Sequence, residues 1–454
     1  MGEFFRCPYS VTQLHSQLAN TGFVLSMHIR ESGFPVTCAL IVLSAAAHAQ
    51  SSSILPPQND ASANWKNAGM LSVGGIPTRS AVCATLSPFG GDKDDSAQIN
   101  NAIASCPAGD VLMLAAGTFT INEGNYIGLN KGITLRGTGS CNNVSSPYCS
   151  TLITMHGGAV MGSYTCGQAN CAYNPLILLG PPLWTTSWSI PTTLTADAAQ
   201  GATSVQVKST TGFSVGQWAL IDEASGADWQ TDPEGYGQIW AAADWPSAAG
   251  SPATGRVAWQ KHNPSQGWDD FTPSQYPYQS GTAGCWYSFC DRPTAEVHRI
   301  TAINTSAKTI TFDDPLTIAY RASEGHKAQL YYPSNAFVQN AGVENLTITH
   351  SFGGGSISFQ FCAYCWVKNV ESTLAYQGSF NLSYAARVEL NQIYSHGCVW
   401  PVPGGGGYNI DLQHATTETY IVNSISVECN KVITARSGGA GSVVAYNFMD
   451  DQFI

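Results

Sequence analysis

The stretch that decides the fold is Val343-Glu344-Asn345-Leu346-Thr347-Ile348, an apolar strand pattern interrupted by one asparagine. The same arrangement returns in four later segments, with asparagines 24, 22, 32 and 24 residues apart. A coil of three short strands needs about that many residues, and one longer loop explains the larger spacing. Asparagine also tolerates the left-handed backbone of a sharp turn. The five predicted turn residues are Asn345, Asn369, Asn391, Asn423 and Asn447.

A second strand precedes each of the last four asparagines, which predicts stacked parallel coils rather than βαβ units. Successive residues of a strand point to opposite faces. One face of these strands is therefore apolar, and the other is predicted to form an outward polar stripe. The strands cover 357–360, 380–383, 408–412 and 432–434, and the outward residues are Ser358, Gln360, Asn381, Ser383, Asn409, Asp411 and Gln413.

The chain before residue 181 shows the same pattern in a weaker form. Short apolar runs at 111–114, 133–135, 152–155 and 176–179 end at turns that contain glycine. Before them, Asp95 and Gln98 have the spacing of a capping box, and Ile99, Ala102 and Ile103 share one helical face. We expect a short helix that covers the open end of the first coil.

These patterns divide the chain into five parts. Residues 1–49 are predicted to hold a signal peptide, with Met27 as a possible start, because an apolar run after Arg30 leads to Ala47-His48-Ala49; a buried hydrophobic helix is the alternative. An arm (50–87) is expected to pack on the first coil. Residues 88–180 form the first coils, 181–297 a tryptophan-rich insertion, and 298–454 further coils. Because no polar cap follows the last coil, we expect more coils in the complete protein.

Composition limits the partners. Only 11% of the residues are charged, the net charge is −11, and no basic cluster occurs, so a nucleic-acid partner is not expected. No run is long enough to span a bilayer. A monomer and a trimer are both compatible with the sequence. The tryptophans of the insertion, nine of the twelve in the chain, are interpreted mostly as a small core and in a few cases as a sugar-stacking groove.

Twelve of the 14 cysteines follow the predicted signal segment, an even number that is typical of disulfides in an exported chain. Connectivity cannot be deduced from spacing, and we favour pairs that are close in sequence. A zinc half-site and a redox pair are alternatives for Cys362 and Cys365. The favoured pairs are Cys83/Cys106, Cys141/Cys149, Cys166/Cys171, Cys285/Cys290, Cys362/Cys365 and Cys398/Cys429.

The segment GDKDDSAQINNAI (91–103), the glycine-closed strands and the asparagine coils together resemble the pectate-lyase-like superfamily, especially its rhamnogalacturonase-type and tailspike-type members. The resemblance covers 88–180 and 298–454 and implies an all-β, right-handed parallel β-helix (solenoid). It also implies a structural role for Asp92, Asp94 and Asp95. The polygalacturonase motifs are missing except for an echo in Ser395-His396-Gly397. The acidic cluster of calcium-dependent pectate lyases is missing too, so we expect no cofactor, and Ca²⁺ has no ligand cluster to support it.

Candidate catalytic residues come from the coil register. Hydrolysis would need two carboxylates, and Asp411 with Asp450 or Asp451 could supply them. β-Elimination would need a base, for which Lys368, Arg387, His396 and Arg436 are possible, and His414 lies at a neighbouring turn. The alternatives are solvated turns or exterior charges. The candidate catalytic residues are Asp411, His396, His414, Arg436 and Asp450, and the candidate substrate-binding residues are Gln360, Ser383, Asn409 and Gln413.

Two functional hypotheses follow from these residues. The first is a secreted, extracellular or periplasmic enzyme that cleaves an acidic polysaccharide by hydrolysis or β-elimination. The second is a non-catalytic glycan-binding or surface-adhesion protein on the same scaffold. A stripe rich in amides and hydroxyls favours the second hypothesis, whereas a cleft with two carboxylates would favour the first.

Overall fold

The computed structural model describes residues 65–138, 141, 148–156, 175–223, 294–322, 327–351, 355–376, 378–399, 407–436 and 438–450. Within these ranges the chain is almost entirely β-structure with a single α-helix. Its coils form the predicted right-handed parallel β-helix. The predicted signal segment lies outside the described residues.

The first parallel sheet contains twelve strands. Eight of them pair in the order β1-β2-β5-β15-β18-β20-β22-β25, and the other four, β3, β6, β23 and β26, belong to a second half beside this row. From β15 onward each coil crosses this sheet in two halves that are separated by the asparagine turn. The strands are β1 (Val82–Leu86), β2 (Val111–Leu114), β3 (Gly117–Asn122), β5 (Thr134–Gly137), β6 (Thr151–His156), β15 (Gly342–Thr349), β18 (Trp366–Thr373), β20 (Glu389–His396), β22 (Tyr420–Val422), β23 (Ile425–Val427), β25 (Val443–Ala445) and β26 (Phe448–Asp450).

The second parallel sheet carries the predicted stripe. Ile357, Phe380 and Ile410 are paired across its strands and lie in the core. The alternate residues Ser358 and Asp411 therefore point away from the core, and the predicted register is confirmed. Its strands are β4 (Ile127–Leu129), β7 (Ile177–Leu179), β16 (Ile357–Gln360), β19 (Gly378–Ser383), β21 (Tyr408–Gln413) and β24 (Lys431–Arg436); β14 (Val338–Gln339) and β17 (Cys362–Ala363) begin a narrow third sheet.

The turn asparagines are only partly in the predicted place. Asn345, Asn369 and Asn423 have φ of 57°, 54° and 53°, and the Asn369 amide donates to Asn345 Oδ1 at 2.9 Å. In the other two coils the left-handed residues are Gln392 and Tyr446. The prediction was wrong by one position for Asn391 and Asn447, which flank the turn, because pattern alone does not distinguish a turn residue from its neighbour.

A six-stranded antiparallel sheet is inserted between β7 and β14, in the order β8-β13-β10-β11-β12-β9. It extends through Tyr331, so the strands at 298–312 that we assigned to the coils belong to the insertion. Both kinds of strand have the same two-residue period, and only their partners differ. The strands are β8 (Thr192–Thr193), β9 (Ser204–Gln206), β10 (Trp218–Glu223), β11 (Thr294–Asn304), β12 (Thr309–Phe312) and β13 (Gln329–Tyr331).

The aromatic residues of the insertion join it to the coils. Trp188 contacts Phe361 and Tyr384, with ring centroids 5.4 and 4.9 Å apart, and Trp218 stacks on Phe337 at 5.6 Å. These two tryptophans are packed, but against residues outside the insertion rather than in the small core within it that the sequence predicted. Trp184 is 45% exposed, and the other six lie outside the described residues.

The predicted helix is present as α1 (Ser96–Ser105), with Asp95 at its N-cap position. Asp95 does not cap it with its side chain; its two carboxylate oxygens accept from the N–H groups of Phe89 and Thr120 at 2.9 and 2.8 Å. Asp94 accepts from Asn125 at 2.6 Å. Both carboxylates therefore connect segments at the start of the β-helix, which is the structural role that the resemblance implied.

The N-terminal arm does more than cover the first coil. Its Gly69 N–H donates to Glu418 O at 2.7 Å, in a late coil, and its Arg79 guanidinium lies 4.9 Å from the centre of the Trp366 ring. The segment from Gly69 to Arg79 thus runs along the outer side of the first sheet, from a late coil to an earlier one. The arm (65–81) is a strap across several coils.

Four of the predicted disulfides are present: Cys83–Cys106, Cys141–Cys149, Cys362–Cys365 and Cys398–Cys429. The Cys166/Cys171 and Cys285/Cys290 pairs lie outside the described residues. In the part of the chain that the structure describes, no helix has the length and hydrophobicity needed to cross a membrane.

Candidate functional site

The outer face of the second half of the first sheet carries two rows of side chains. The Tyr394 row consists of Thr347, Glu371, Tyr394, Ile425 and Phe448, which are paired strand to strand. The His396 row lies two residues further along each strand. Because the residues between the rows point inward, both rows face away from the core. The His396 row consists of Thr349, Thr373, His396, Val427 and Asp450.

His396 is held by a buried carboxylate. Its Nε2 lies 2.9 Å from Glu371 Oε1, and Glu371 is fully buried whereas the imidazole keeps 15% of its surface exposed. The other oxygen of Glu371 accepts from Thr347 Oγ1 at 2.7 Å and from the Tyr148 N–H at 2.6 Å. These contacts fix both partners, and if Nε2 donates to the carboxylate, Nδ1 carries the lone pair.

Charge and hydrogen bonding keep Glu371 ionised. Burial alone would raise its pKa, but the hydrogen bonds from His396, Thr347 and Tyr148 outweigh burial and hold the pKa below its usual value. An ionised carboxylate can accept the N–H of the His396 ring and hold the ring in one orientation. The pair therefore has the arrangement of a base with its orienting group.

Tyr394 lies directly against this histidine. The two rings are stacked with centroids 4.3 Å apart, and Tyr148 meets Tyr394 edge-on at 6.4 Å. Partial burial, together with the charges of Glu371 and Glu428, raises the pKa of the Tyr394 phenol. The phenol thus keeps its proton and can act as a donor beside the imidazole.

Further charges surround the pair. Lys368 is exposed on β18, the strand next to that of Tyr394. Glu428 directly follows β23 and is exposed. Its Oε2 lies 4.0 Å from the position that a Cβ atom on Gly397 would occupy. Asp450 is exposed in the His396 row. The face therefore has two carboxylates on one side of the histidine, whereas Lys368 lies before the Asn369 turn, in the other half of the sheet.

The stripe around Asp411 is outward but not open. Asp411 is only 2% exposed, and its oxygens accept from Thr434 Oγ1 at 2.8 Å and from Gln413 Nε2 at 2.5 Å. Gln360 is 6% exposed and accepts from the Leu183 N–H of the insertion at 2.8 Å. The other stripe candidates, Ser383, Asn409 and His414, are likewise buried, and Gln413 is half-buried.

The remaining candidates are distributed over different places. His414 stacks on Tyr384 with ring centroids 5.3 Å apart, and Arg436 is paired with Gln413 at the edge of the second sheet. The structure therefore brings His396 and Asp450 to one face of the first sheet and keeps Asp411, His414 and Arg436 at the second. No geometry joins the two groups into one site.

Arg387 belongs to a buried ion cluster instead. It contacts Glu418 and Asp313 at 2.7 Å and Asp314 at 2.9 Å, and it also donates to the Tyr364 hydroxyl. His298 lies between Asp314 and Glu296 at 3.0 and 2.9 Å. Asp313, Asp314 and His298 come from the inserted sheet or the segment after it, and the arginine comes from the coils. The cluster joins the two parts.

Burial and charge shift several groups in the cluster. Burial raises the pKa of Glu418 to about 8, and the charge of Asp314 adds to this effect. Burial opposes a charged His298, but Asp314 and Glu296 outweigh it and raise its pKa well above the usual value. Most of the cluster is enclosed, with only Asp313 partly exposed, and its charges pair with one another, so it has the character of a structural connection rather than of a catalytic centre.

The sequence prediction missed Glu371, Tyr394 and Glu428. The register contained only part of the signal: residues two and four after the left-handed turn residue face outward, but on β20 that residue is Gln392, and counting from Asn391 gives the buried Ile393 and Ser395. Tyr394 and His396 alternate on β20, and Glu371 is paired with Tyr394 one coil earlier. Within the described residues, no group of three His, Cys, Asp or Glu side chains could hold a metal ion.

No protein-family model matches the sequence, and no curated protein matches it. Among solved structures, the tailspike gp61 of Pseudomonas phage phi297 is similar over 79% of this chain and 42% of its own, with 10% identity and a TM-score of 0.41. The tailspike gp49 of Pseudomonas phage LKA1 is similar over 78% and 44%, with 12% identity and a TM-score of 0.40.

A family 28 exopolygalacturonase of Yersinia enterocolitica is similar over 82% of this chain and 59% of its own, with 10% identity and a TM-score of 0.24. The chain thus spans less than half of the length of the two tailspike chains. At such identities the likeness concerns the fold alone.

Proposed function

We propose that this protein is a secreted carbohydrate-active enzyme that cleaves an acidic polysaccharide by β-elimination on the outer face of its first sheet. The observation that carries the proposal is the 2.9 Å contact between His396 Nε2 and the buried Glu371 carboxylate, beside the Tyr394 ring. A partly exposed base that is oriented by a buried carboxylate suits proton abstraction. The disulfides fit an extracellular or periplasmic location.

In the proposed reaction, His396 Nδ1 takes the proton from the carbon beside the uronate carboxyl group. The electron pair of that C–H bond forms the new C=C bond as the bond to the glycosidic oxygen breaks. The Tyr394 phenol protonates the leaving oxygen, and the proton held by the His396 imidazolium returns through water to the phenolate, which restores both residues. Lys368, exposed on β18 before the Asn369 turn, would have to reach across that turn to neutralise the uronate carboxylate.

The test is to incubate the wild-type protein with pectins, alginates and glycosaminoglycans, and to follow the absorbance of unsaturated uronates together with reducing ends. We expect both signals. His396→Ala should lower the rate by about 10²- to 10⁴-fold, the usual contribution of a positioned base. Glu371→Gln should lower kcat more than it changes KM, because the base is then less well oriented. His156→Ala, at an exposed histidine elsewhere, is the matched control.

Each other outcome decides against part of the proposal. Reducing ends without unsaturated products would indicate hydrolysis. Binding without either product would favour the non-catalytic glycan-binding alternative. If His396→Ala and His156→Ala have the same activity, His396 is not the base.

A further inference from the structure

The Tyr394 row continues beyond the proposed catalytic pair as an apolar surface. Tyr394 is paired with Ile425, and Ile425 with Phe448. Ile425 is 44% and Phe448 57% exposed. Both point away from the core, as the register of their strands requires. A neighbouring coil pairs with the edge of a strand and covers side chains that point inward. The stacking of coils therefore does not bury the side chains of Ile425 and Phe448, which point outward.

The spacing of this surface matches a polymer that lies along the β-helix. Neighbouring strands are about 4.8 Å apart, so Phe448 lies roughly 10 Å from Tyr394 in the stacking direction. That distance is about the length of a disaccharide. A polysaccharide with one sugar at His396 would therefore place the next sugars over Ile425 and Phe448, where a ring face can stack on the phenyl group.

The charge of this surface is unfavourable for acidic sugars. Strands β23 and β26 contain neither lysine nor arginine. Glu428 is exposed beside them, and its charge reaches the site, since it contributes to the raised pKa of Tyr394. Two like charges close together at a protein surface repel each other. The exposed Lys368 lies one coil earlier than Tyr394, in the half of β18 before the Asn369 turn.

From this asymmetry we infer that the surface formed by Ile425, Phe448 and Glu428 selects a neutral sugar next to the acidic sugar that reacts at His396. The substrate is then a polysaccharide in which uronates alternate with neutral sugars such as N-acetylhexosamines. A homopolymer of uronates is disfavoured, because it would place a second carboxylate beside Glu428. The inference rests on the proposed function and narrows its substrate.

Binding tests the inference without turnover. The full chain carrying His396→Ala is titrated calorimetrically with three probes: an alternating uronate/N-acetylhexosamine hexasaccharide, a neutral N-acetylglucosamine oligomer and an oligogalacturonate. We expect the alternating probe to bind most tightly. Phe448→Ala should weaken that binding by roughly 2- to 12-fold, the range expected for a lost ring contact. Ile190→Ser, at a residue that is 92% exposed in the insertion, is the control and should change nothing.

Glu428→Gln separates charge from ring stacking. It should strengthen binding of the oligogalacturonate and leave the neutral oligomer unchanged. The inference is overturned if the oligogalacturonate binds most tightly to the unmodified surface, if Phe448→Ala behaves like Ile190→Ser, or if none of the probes binds. Failure of the proposed function has a different signature, because wild-type protein would then produce no unsaturated uronates while the binding preferences persisted.

Discussion

Residues at the turn of the first sheet share a backbone conformation and not a residue type. Asn369 and Asn423 adopt the left-handed region with φ of 54° and 53°, and between them Gln392 adopts it with φ of 56°. Glutamine is not among the residues enriched in this region, whereas asparagine is. The sequence pattern predicted Asn391 as the turn residue because Asn391 lies directly before the turn. One coil is therefore built with a less suitable residue than its neighbours.

Replacing that residue should stabilise the protein. Gln392→Asn supplies a better left-handed residue and an amide between those of Asn369 and Asn423. We expect the free energy of unfolding, measured by urea denaturation, to rise by about 0.5 to 1.5 kcal/mol, the net worth of one hydrogen bond. Gln392→Ala has no amide and serves as the comparison. Equal stability of the two variants would contradict the explanation.

At the scale of elements, the inserted sheet is joined to the coils by charge as well as by aromatic packing. Arg387 contacts Asp313, Asp314 and Glu418, and all four are mostly or fully buried. Arg387→Met would leave these carboxylates without their counter-charge. We expect a loss of about 3 to 5 kcal/mol in the free energy of unfolding. Arg299→Met, at an exposed arginine of β11, should stay within about 0.5 kcal/mol; similar losses in both variants would refute the role of the cluster.

The strands of the coils could be predicted from sequence, but the extent of the insertion could not. Repeated spacing identifies coil strands because each one lies beside its own repeat. β11 and β12 have no such repeat, and their two-residue period is that of any strand with one buried face. Their partners, β10 and β9, lie at distant positions. Pairing of this kind depends on which surfaces meet after folding.

For the whole molecule, the buried cluster predicts a stability that depends on pH. The folded-state pKa of Glu418 is raised to about 8 from an ordinary 4.5. Between these values the folded protein retains a proton that the unfolded chain releases, so stability falls as pH rises through this window. His298, whose pKa is also raised, acts in the same direction. Asp314 has a lowered pKa, so its contribution is lost only at acidic pH.

We therefore expect the free energy of unfolding to decline from mildly acidic to mildly alkaline pH. One proton contributes a slope of up to about 1.4 kcal/mol per pH unit. Glu418→Gln, which stays neutral, should flatten the decline when urea unfolding is measured across this range. An unchanged slope in Glu418→Gln would assign the effect to other groups.

Burial across the whole molecule also explains what sequence could not predict of the candidate site. Alternation correctly predicts that Asp411 and Gln360 face outward. It does not predict that they are covered, because the Leu183 N–H that binds Gln360 is 177 residues away. His396 was identified as a candidate, whereas its partner Glu371 belongs to another coil. A site assembled across coils becomes visible only when the register is combined with the packing.

The strap formed by residues 65–81 has a consequence for the order of events during biosynthesis. Gly69 and Met70 bind Glu418 and Glu389, which leave the ribosome hundreds of residues later. The earliest-made part of the described chain must therefore wait for late coils before it can dock. Solenoids usually unfold piecemeal, since each repeat contacts only its neighbours. Because the strap contacts several coils, these coils should unfold cooperatively rather than one after another from one end of the β-helix.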